Sequence, residues 1–191
     1  TILMMFALAG LTSMVNTRIG LEIANIAERD VLTGLLSRFG LKHASAQWTA
    51  QHQDGHLLLI DLDHFKQIND ALGHDRGDDV LRMFADLAVS VLPQDAVLAR
   101  YGVDEFVMLL PIEIDAEYFG LRLIEYFDER ANVILNVERR LTKLPSLSIG
   151  VARIHGVFGT AIRDADRALY RAKTAGRSRI ATWSGTVEAW S

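Results

Sequence analysis

Two adjacent acids, Asp104 and Glu105, follow Arg100-Tyr101-Gly102-Val103 and precede Phe106. An apolar segment (Ala96, Val97, Leu98) leads in, and a second, Phe106 to Leu110, leads out. The pattern predicts a β-hairpin over roughly 97–110 with carboxylates at its tip. Acids on a rigid tip can bind a divalent cation and work on phosphates. Neighbours on extended backbone point to opposite faces. One of the pair can therefore face an acid on another strand, and Asp61 is the candidate.

Asp61 closes a short apolar run, His56 to Ile60, and is followed by Leu62-Asp63-His64-Phe65-Lys66. A strand-end carboxylate beside an exposed Leu62 carbonyl offers the hard oxygens that Mg²⁺ takes. Lys66 can meet a phosphate as a point charge. The plainer alternative is a helix N-cap at Asp63 with Asp61 solvated. Asn69-Asp70-Ala71-Leu72-Gly73-His74-Asp75-Arg76-Gly77-Asp78 follows. An amide and a carboxylate together can read a guanine edge. Asx-turns and an N-cap at Asp78 are the alternative, with His74 as a structural hydrogen-bonder. Lys173 and Arg177 are four residues apart beside Gly176. They suit a phosphate clamp, Arg177 being the bidentate partner; cations near a helix end also favour its dipole without any ligand.

The elements that must hold these groups follow from periodicity and punctuation. Ile19, Ile23, Ile26 and Ala27 share a helical face. Ser37 caps a helix from about Arg38 to Ala50. His56–Ile60 is a buried strand, and Phe65–Leu72 is a helix closed by Gly73. A longer helix spans Gly77 to Leu92, stopped by Pro93. Ala116–Ala131 is helical, Ser146–Ile154 is a strand, Thr160–Ala175 is a helix ended by Gly176, and Arg179–Trp183 is a last strand. Strands and helices alternate around one sheet, an α/β or α+β sandwich.

With 191 residues, 50% of them hydrophobic, the chain can bury one substantial core. A formal net charge of −4 gives nucleic-acid binding no support. An anionic substrate needs local cations or a metal. Cysteine is absent, which excludes disulfides, thiol nucleophiles and Cys-ligated zinc. Residues 1–17 carry no charged side chain. That is short of the roughly 20 apolar residues of a complete span. Three readings stay open: the cytoplasmic end of a transmembrane helix, a signal-like segment, or an apolar helix packed on the domain or on a second copy.

Taken together and in order, these motifs resemble the GGDEF family, the diguanylate cyclases. They are Asp30-x-Leu32-Thr33-Gly34-Leu35, Asp61-Leu62-Asp63-x-Phe65-Lys66-x-x-Asn69-Asp70, Gly73-His74-x-x-Gly77-Asp78, the hairpin, Ser148-Ile149-Gly150-Val151-Ala152, and Tyr170-x-Ala172-Lys173-x-x-Gly176-Arg177. The resemblance implies a central, mostly antiparallel sheet flanked by helices, with a nucleotidyl-cyclase-like fold. It implies an N-terminal signalling helix over 1–28, the domain over 29–185 and a tail over 186–191. It implies synthesis of cyclic di-GMP and pyrophosphate from two GTP with Mg²⁺ or Mn²⁺, in a homodimer. The site residues it implies are Asp61, the Leu62 carbonyl and Asp104 for the metal. Asp104 also acts as base, with Glu105 at a second metal position. Asn69 and Asp78 read guanine with His74 nearby; Phe65, Lys66, Lys173 and Arg177 surround the phosphates. A cytoplasmic domain, attached or not to an inner membrane through its N-terminal segment, is the expected setting.

The chain departs from the family twice. Val103 stands where the family has its second glycine. If the turn needs positive φ, a β-branched residue there costs about 1 kcal/mol or more, and a catalytically degenerate domain that binds GTP or a partner becomes the alternative. Many relatives carry Arg-x-x-Asp before the hairpin, an anionic-product site. Here the stretch is Leu92-Pro93-Gln94-Asp95, so no high-affinity product site of that kind is expected.

Overall fold

The computed structural model describes residues 28–135 and 143–185. The helix expected over 19–27, the apolar stretch 1–17 and the tail 186–191 lie outside the described residues. The elements are α1 (Arg38–Gln51), β1 (Asp54–Asp63), α2 (Phe65–Leu72), α3 (His74–Ser90), β2 (Val97–Arg100), β3 (Glu105–Pro111), α4 (Ala116–Leu135), β4 (Ser146–His155), α5 (Phe158–Thr174) and β5 (Arg179–Thr182). The sheet has five strands in the order β2-β3-β1-β4-β5. All pairs are antiparallel except β4 with β5. No helix among the described residues is long and apolar enough to cross a membrane.

β1 is the middle strand and is covered on both faces, which is why it reads as a continuous apolar run. Leu58, Ile60 and Leu62 pack with Phe65, Ile68, Phe84, Phe106 and Phe127. Leu57 and Leu59 turn the other way and pack with Leu41, Trp48, Val107 and Leu169. On that second face α5 lies directly on β4: a Cβ at Gly150 would come 2.1 Å from the Ala165 carbonyl oxygen. The glycine and the buried Ala161, Ala165, Ala168 and Ala172 permit this approach. It brings the C-terminal end of α5, with Lys173, close to the end of β1.

Two boundaries differ from expectation in ways that matter to the site, and the N-cap alternative for Asp63 falls away. β1 runs on to Asp63, so Asp61 lies inside the strand and Asp63 ends it. The N-cap position of α2 is His64, in left-handed conformation and without a side-chain cap bond; Asp63 is no N-cap. α3 begins at His74 rather than Gly77, because Gly73 at φ 90° turns the chain straight from one helix into the next. Asp78 therefore sits one turn inside α3. By contrast Ser37 caps α1 as expected, its hydroxyl accepting from the Gly40 N–H at 3.1 Å.

Candidate active site

The end of β1 collects charge in a buried place. The Asp61 side chain is 9% exposed and meets Lys173 Nζ at 2.6 Å. Burial pushes the Asp61 carboxyl up to about 6 against the opposing pull of Lys173, and the charges of Asp104 and Asp63 add to the rise. The register sets Glu105, not Asp104, directly across from Asp61. The Glu105 carboxylate nevertheless folds against the tip, where a Cβ on Gly102 would lie 2.7 Å from its Oε2. Its carbonyl accepts from the N–H groups of Tyr101 (2.8 Å) and Gly102 (3.1 Å). Asp104 is joined to β1 through its own carbonyl, which accepts from the Leu62 N–H at 3.1 Å. Asp104 is thus the tip acid whose charge Asp61 feels, and Glu105 braces the turn.

Val103 is not under backbone strain. The non-glycine residues with φ in the left-handed region, among those described, are His64, Asp95, Arg177 and Ser178. Val103 is 70% exposed, and its carbonyl accepts from Arg100 Nη2 at 2.6 Å. Gly102 is also outside the positive-φ set; a Cβ there would make the Glu105 carboxylate, 2.7 Å away, shift.

Arg100 ties the tip to a motif seventy residues away. Its Nη1 donates to Asp30 at 3.1 Å and 3.2 Å, and Asp30 also accepts from the Thr33 hydroxyl (2.6 Å) and N–H (2.9 Å). Burial tends to raise the Asp30 carboxyl, but the Thr33 and Arg100 hydrogen bonds outweigh it and hold it below the usual value. Arg38 stacks over Tyr101 at 4.7 Å beside it. A carboxyl lowered on folding adds stability above its unfolded pKa and loses it as pH falls through the folded value. Asp30→Asn is expected to cost about 1–2 kcal/mol at pH 7 and to flatten the acid limb of stability. Urea unfolding at pH 7 and pH 3 measures both.

On the other side of the site, Asn69 Oδ1 is buried and has no hydrogen-bond partner among the described residues. It lies against Gly77, whose added Cβ would come within 1.9 Å of it. Asp78, next in sequence, is half-buried, and His74 is exposed at the start of α3. An orphaned acceptor beside a carboxylate fits a ligand edge that donates. The Phe65 ring is in the core, 5% exposed. Only its main chain can serve phosphates, at the uncapped first turn of α2 where N–H groups lack helical partners. Lys66 is exposed at the same turn.

Asp63 and Arg177 form a third group. The Asp63 side chain is sealed from solvent and lies 3.7 Å from Arg177 Nε. The two acids of Asp61-Leu62-Asp63 share one face by strand alternation, a signal present in the sequence. The donors that surround Asp63 come from residues 83 and more positions away.

The donor set suits a hard cation. Asp61, Asp104 and the Leu62 carbonyl are oxygen donors of the kind Mg²⁺ takes. No group of three His, Cys, Asp or Glu among the described residues is gathered to hold a metal alone. A Mg²⁺ held there would complete its shell with phosphate oxygens and water, as it usually does at a nucleotide.

Buried acids at a strand end with a cation beside them are groups suited to phosphoryl chemistry. The family model "Diguanylate cyclase, GGDEF domain" matches residues 27–179. Diguanylate cyclase DgcM of Escherichia coli K12 is 38% identical over 168 residues, covering 83% of this chain and 39% of that protein. Diguanylate cyclase DgcP of Pseudomonas aeruginosa is 40% identical over 162 residues, covering 79% of this chain and 23% of that protein. The chain thus spans well under half of these relatives. The GGDEF domain of DgcB from Caulobacter crescentus, solved in complex with c-di-GMP, superposes with a TM-score of 0.69 at 28% identity, over 83% of this chain and 97% of that one. The chain belongs to the GGDEF family of diguanylate cyclases. The cyclases of this family depend on a metal ion, use GTP and act as dimers.

Proposed function

We propose that this chain is a diguanylate cyclase domain, over residues 29–185, that condenses two GTP into cyclic di-GMP and pyrophosphate. The observation that carries it is the array at the end of β1: Asp61 buried beside Asp104, with Lys173 on it at 2.6 Å. In each half-reaction a 3′-oxygen attacks an α-phosphorus, and pyrophosphate leaves. Bound Mg²⁺ or Mn²⁺ would lower the pKa of that hydroxyl and neutralise charge on the phosphates. Asp61, Asp104 and the Leu62 carbonyl would hold it. Asp104 takes the 3′-hydroxyl proton, Asn69 and Asp78 read guanine with His74 at the pocket edge, and Lys66, Lys173, Arg177 and the first turn of α2 bind phosphates. Glu105 keeps the tip in shape and stands beside the metal position. One domain binds one GTP, so two domains meet face to face. A cytoplasmic location, with residues 1–28 as coupling helix or membrane attachment, fits this activity.

Titration of the purified protein with a slowly hydrolysed GTP analogue tests this function. Micromolar, metal-dependent affinity is the expected result; affinity that ignores the metal rejects it. The binding has a pH signature. Asp61 must be ionised to take a cation, so metal affinity is expected to fall about tenfold per unit below pH 6. The sign for folding is opposite. A carboxyl raised from 3.8 to about 6 favours the metal-free fold in acid and gives that contribution up as pH rises through about 6. Mn²⁺ titrations at pH 5 and pH 7 read the first effect, and Asp61→Asn should abolish the difference.

Val103 supports a second reading, a domain that binds GTP or a partner without turnover. Its exposed isopropyl group stands at the tip where a nucleotide would approach.

A further inference from the structure

Three consecutive residues, Gly176, Arg177 and Ser178, have φ of 117°, 64° and 48°. Two of them carry side chains that disfavour this region. Such turns persist only where surrounding contacts over-determine them, and they cluster at ligand clamps. Here the main contact is a buried carboxylate. Asp63 accepts from the Ser178 N–H at 3.1 Å, from Ser146 Oγ at 2.8 Å and from Ser148 Oγ at 2.8 Å and 3.0 Å. The two serines sit on β4, in register with Asp63 and Asp61. The Arg177 N–H closes the turn on the Ala172 carbonyl at 3.1 Å.

We propose that Asp63 is the positioning residue for Arg177: it locks the left-handed turn 176–178 and holds the guanidinium by its Nε edge, so that both Nη groups face the phosphates. The inference rests on the GTP reading above. Asp63 is not a metal ligand in this scheme. Hydroxyl and amide donors already hydrogen-bond both of its oxygens, and its side chain is closed to solvent. The two acids of β1 therefore divide the work. Asp61 serves the cation, and Asp63 serves the arginine. The 3.7 Å separation of Nε and Oδ1 leaves the guanidinium, 46% exposed, free to tighten when phosphates arrive.

The test compares affinities for the slowly hydrolysed GTP analogue with Mg²⁺ and for guanosine, which has no phosphate. Asp63→Asn should weaken the analogue about tenfold and leave guanosine within about twofold. Arg177→Ala should do the same, and the double variant should lose no more than Arg177→Ala alone. Losses that multiply in the double variant, or an unchanged analogue affinity in Asp63→Asn, overturn the proposal. If Asp63→Asn does not fold, the Ser146→Ala/Ser148→Ala variant keeps the charge but frees the carboxylate. It should weaken the analogue about threefold with guanosine unchanged, and no selective loss there overturns the proposal. Wild-type protein that fails to bind the analogue overturns the GTP reading itself, before any variant is compared.

Discussion

An enforced dimer of this chain is expected to make cyclic di-GMP from GTP and Mg²⁺, and Asp104→Ala is expected to lower that rate about a thousandfold or more. The magnitude follows from two losses at one residue. A positioned general base contributes about 10²–10⁴-fold, and in the proposed cation site the same carboxylate is one of two. The Asp104 charge adds to the rise of the Asp61 carboxyl, and Asp104 is joined to β1 through its carbonyl at 3.1 Å, which keeps the tip beside the end of β1. Dimerisation has to be imposed, for instance by a fused coiled coil, because each domain supplies one GTP. Product formation by wild type that persists in Asp104→Ala would remove Asp104 from the chemistry.

The same assay decides what Val103 does. A glycine there would help only by granting positive φ or by vacating space. The first is not needed, since Val103 lies outside the left-handed region. The second remains. Val103→Gly is therefore expected to change turnover by less than about threefold, on the order of 0.7 kcal/mol. A silent wild type rescued by Val103→Gly would establish the binding-module reading and locate the defect in the isopropyl group alone.

The sequence carried the element order well because each segment announces itself locally. Ser37 caps, Gly73 closes α2, and strands buried on both faces read as apolar runs. The hairpin and the order of acids were legible for the same reason. What stayed hidden depends on contacts between distant segments. Nothing local shows that Asp30 and Arg100 pair across seventy residues, nor that Asp63 gathers donors from β4 and from the turn before β5. Gly176 announced a turn, but the left-handed Arg177 and Ser178 follow only from what Asp63 and Ala172 impose on them. Asp78 resembled an N-cap because helix starts are read from side chains, whereas α3 starts on a backbone turn at Gly73. The motif position of Phe65 says nothing of its ring; the 3.6-residue pattern of α2, with Ile68 beside it in the core, is what turns that ring inward.

Gly77→Ala should leave the fold intact and remove guanine recognition. An added Cβ would sit 1.9 Å from Asn69 Oδ1 and 3.2 Å from Phe65 Cζ, with no backbone atom among its near contacts. The group that must move is the end of a flexible side chain, so the cost to folding is small. Alanine inside a helix gains roughly 1 kcal/mol over glycine, which offsets it. The thermal midpoint is expected to stay within a few degrees. Binding is a different matter, because in the proposed pocket the displaced group is the amide that meets the base. Leaving a base donor and a pocket acceptor unpaired costs about 1–3 kcal/mol each, so affinity for the GTP analogue should fall about thirtyfold or more. The corresponding inosine analogue, which lacks the exocyclic amine, should lose less, and the preference for guanine over hypoxanthine should shrink. Contrast Gly150, where a Cβ would meet the Ala165 oxygen and the Leu169 nitrogen, both backbone: there the same substitution strikes the fold. If Gly77→Ala binds both analogues as wild type does, Asn69 is not the guanine reader, and the pocket has to be rebuilt around Asp78 alone.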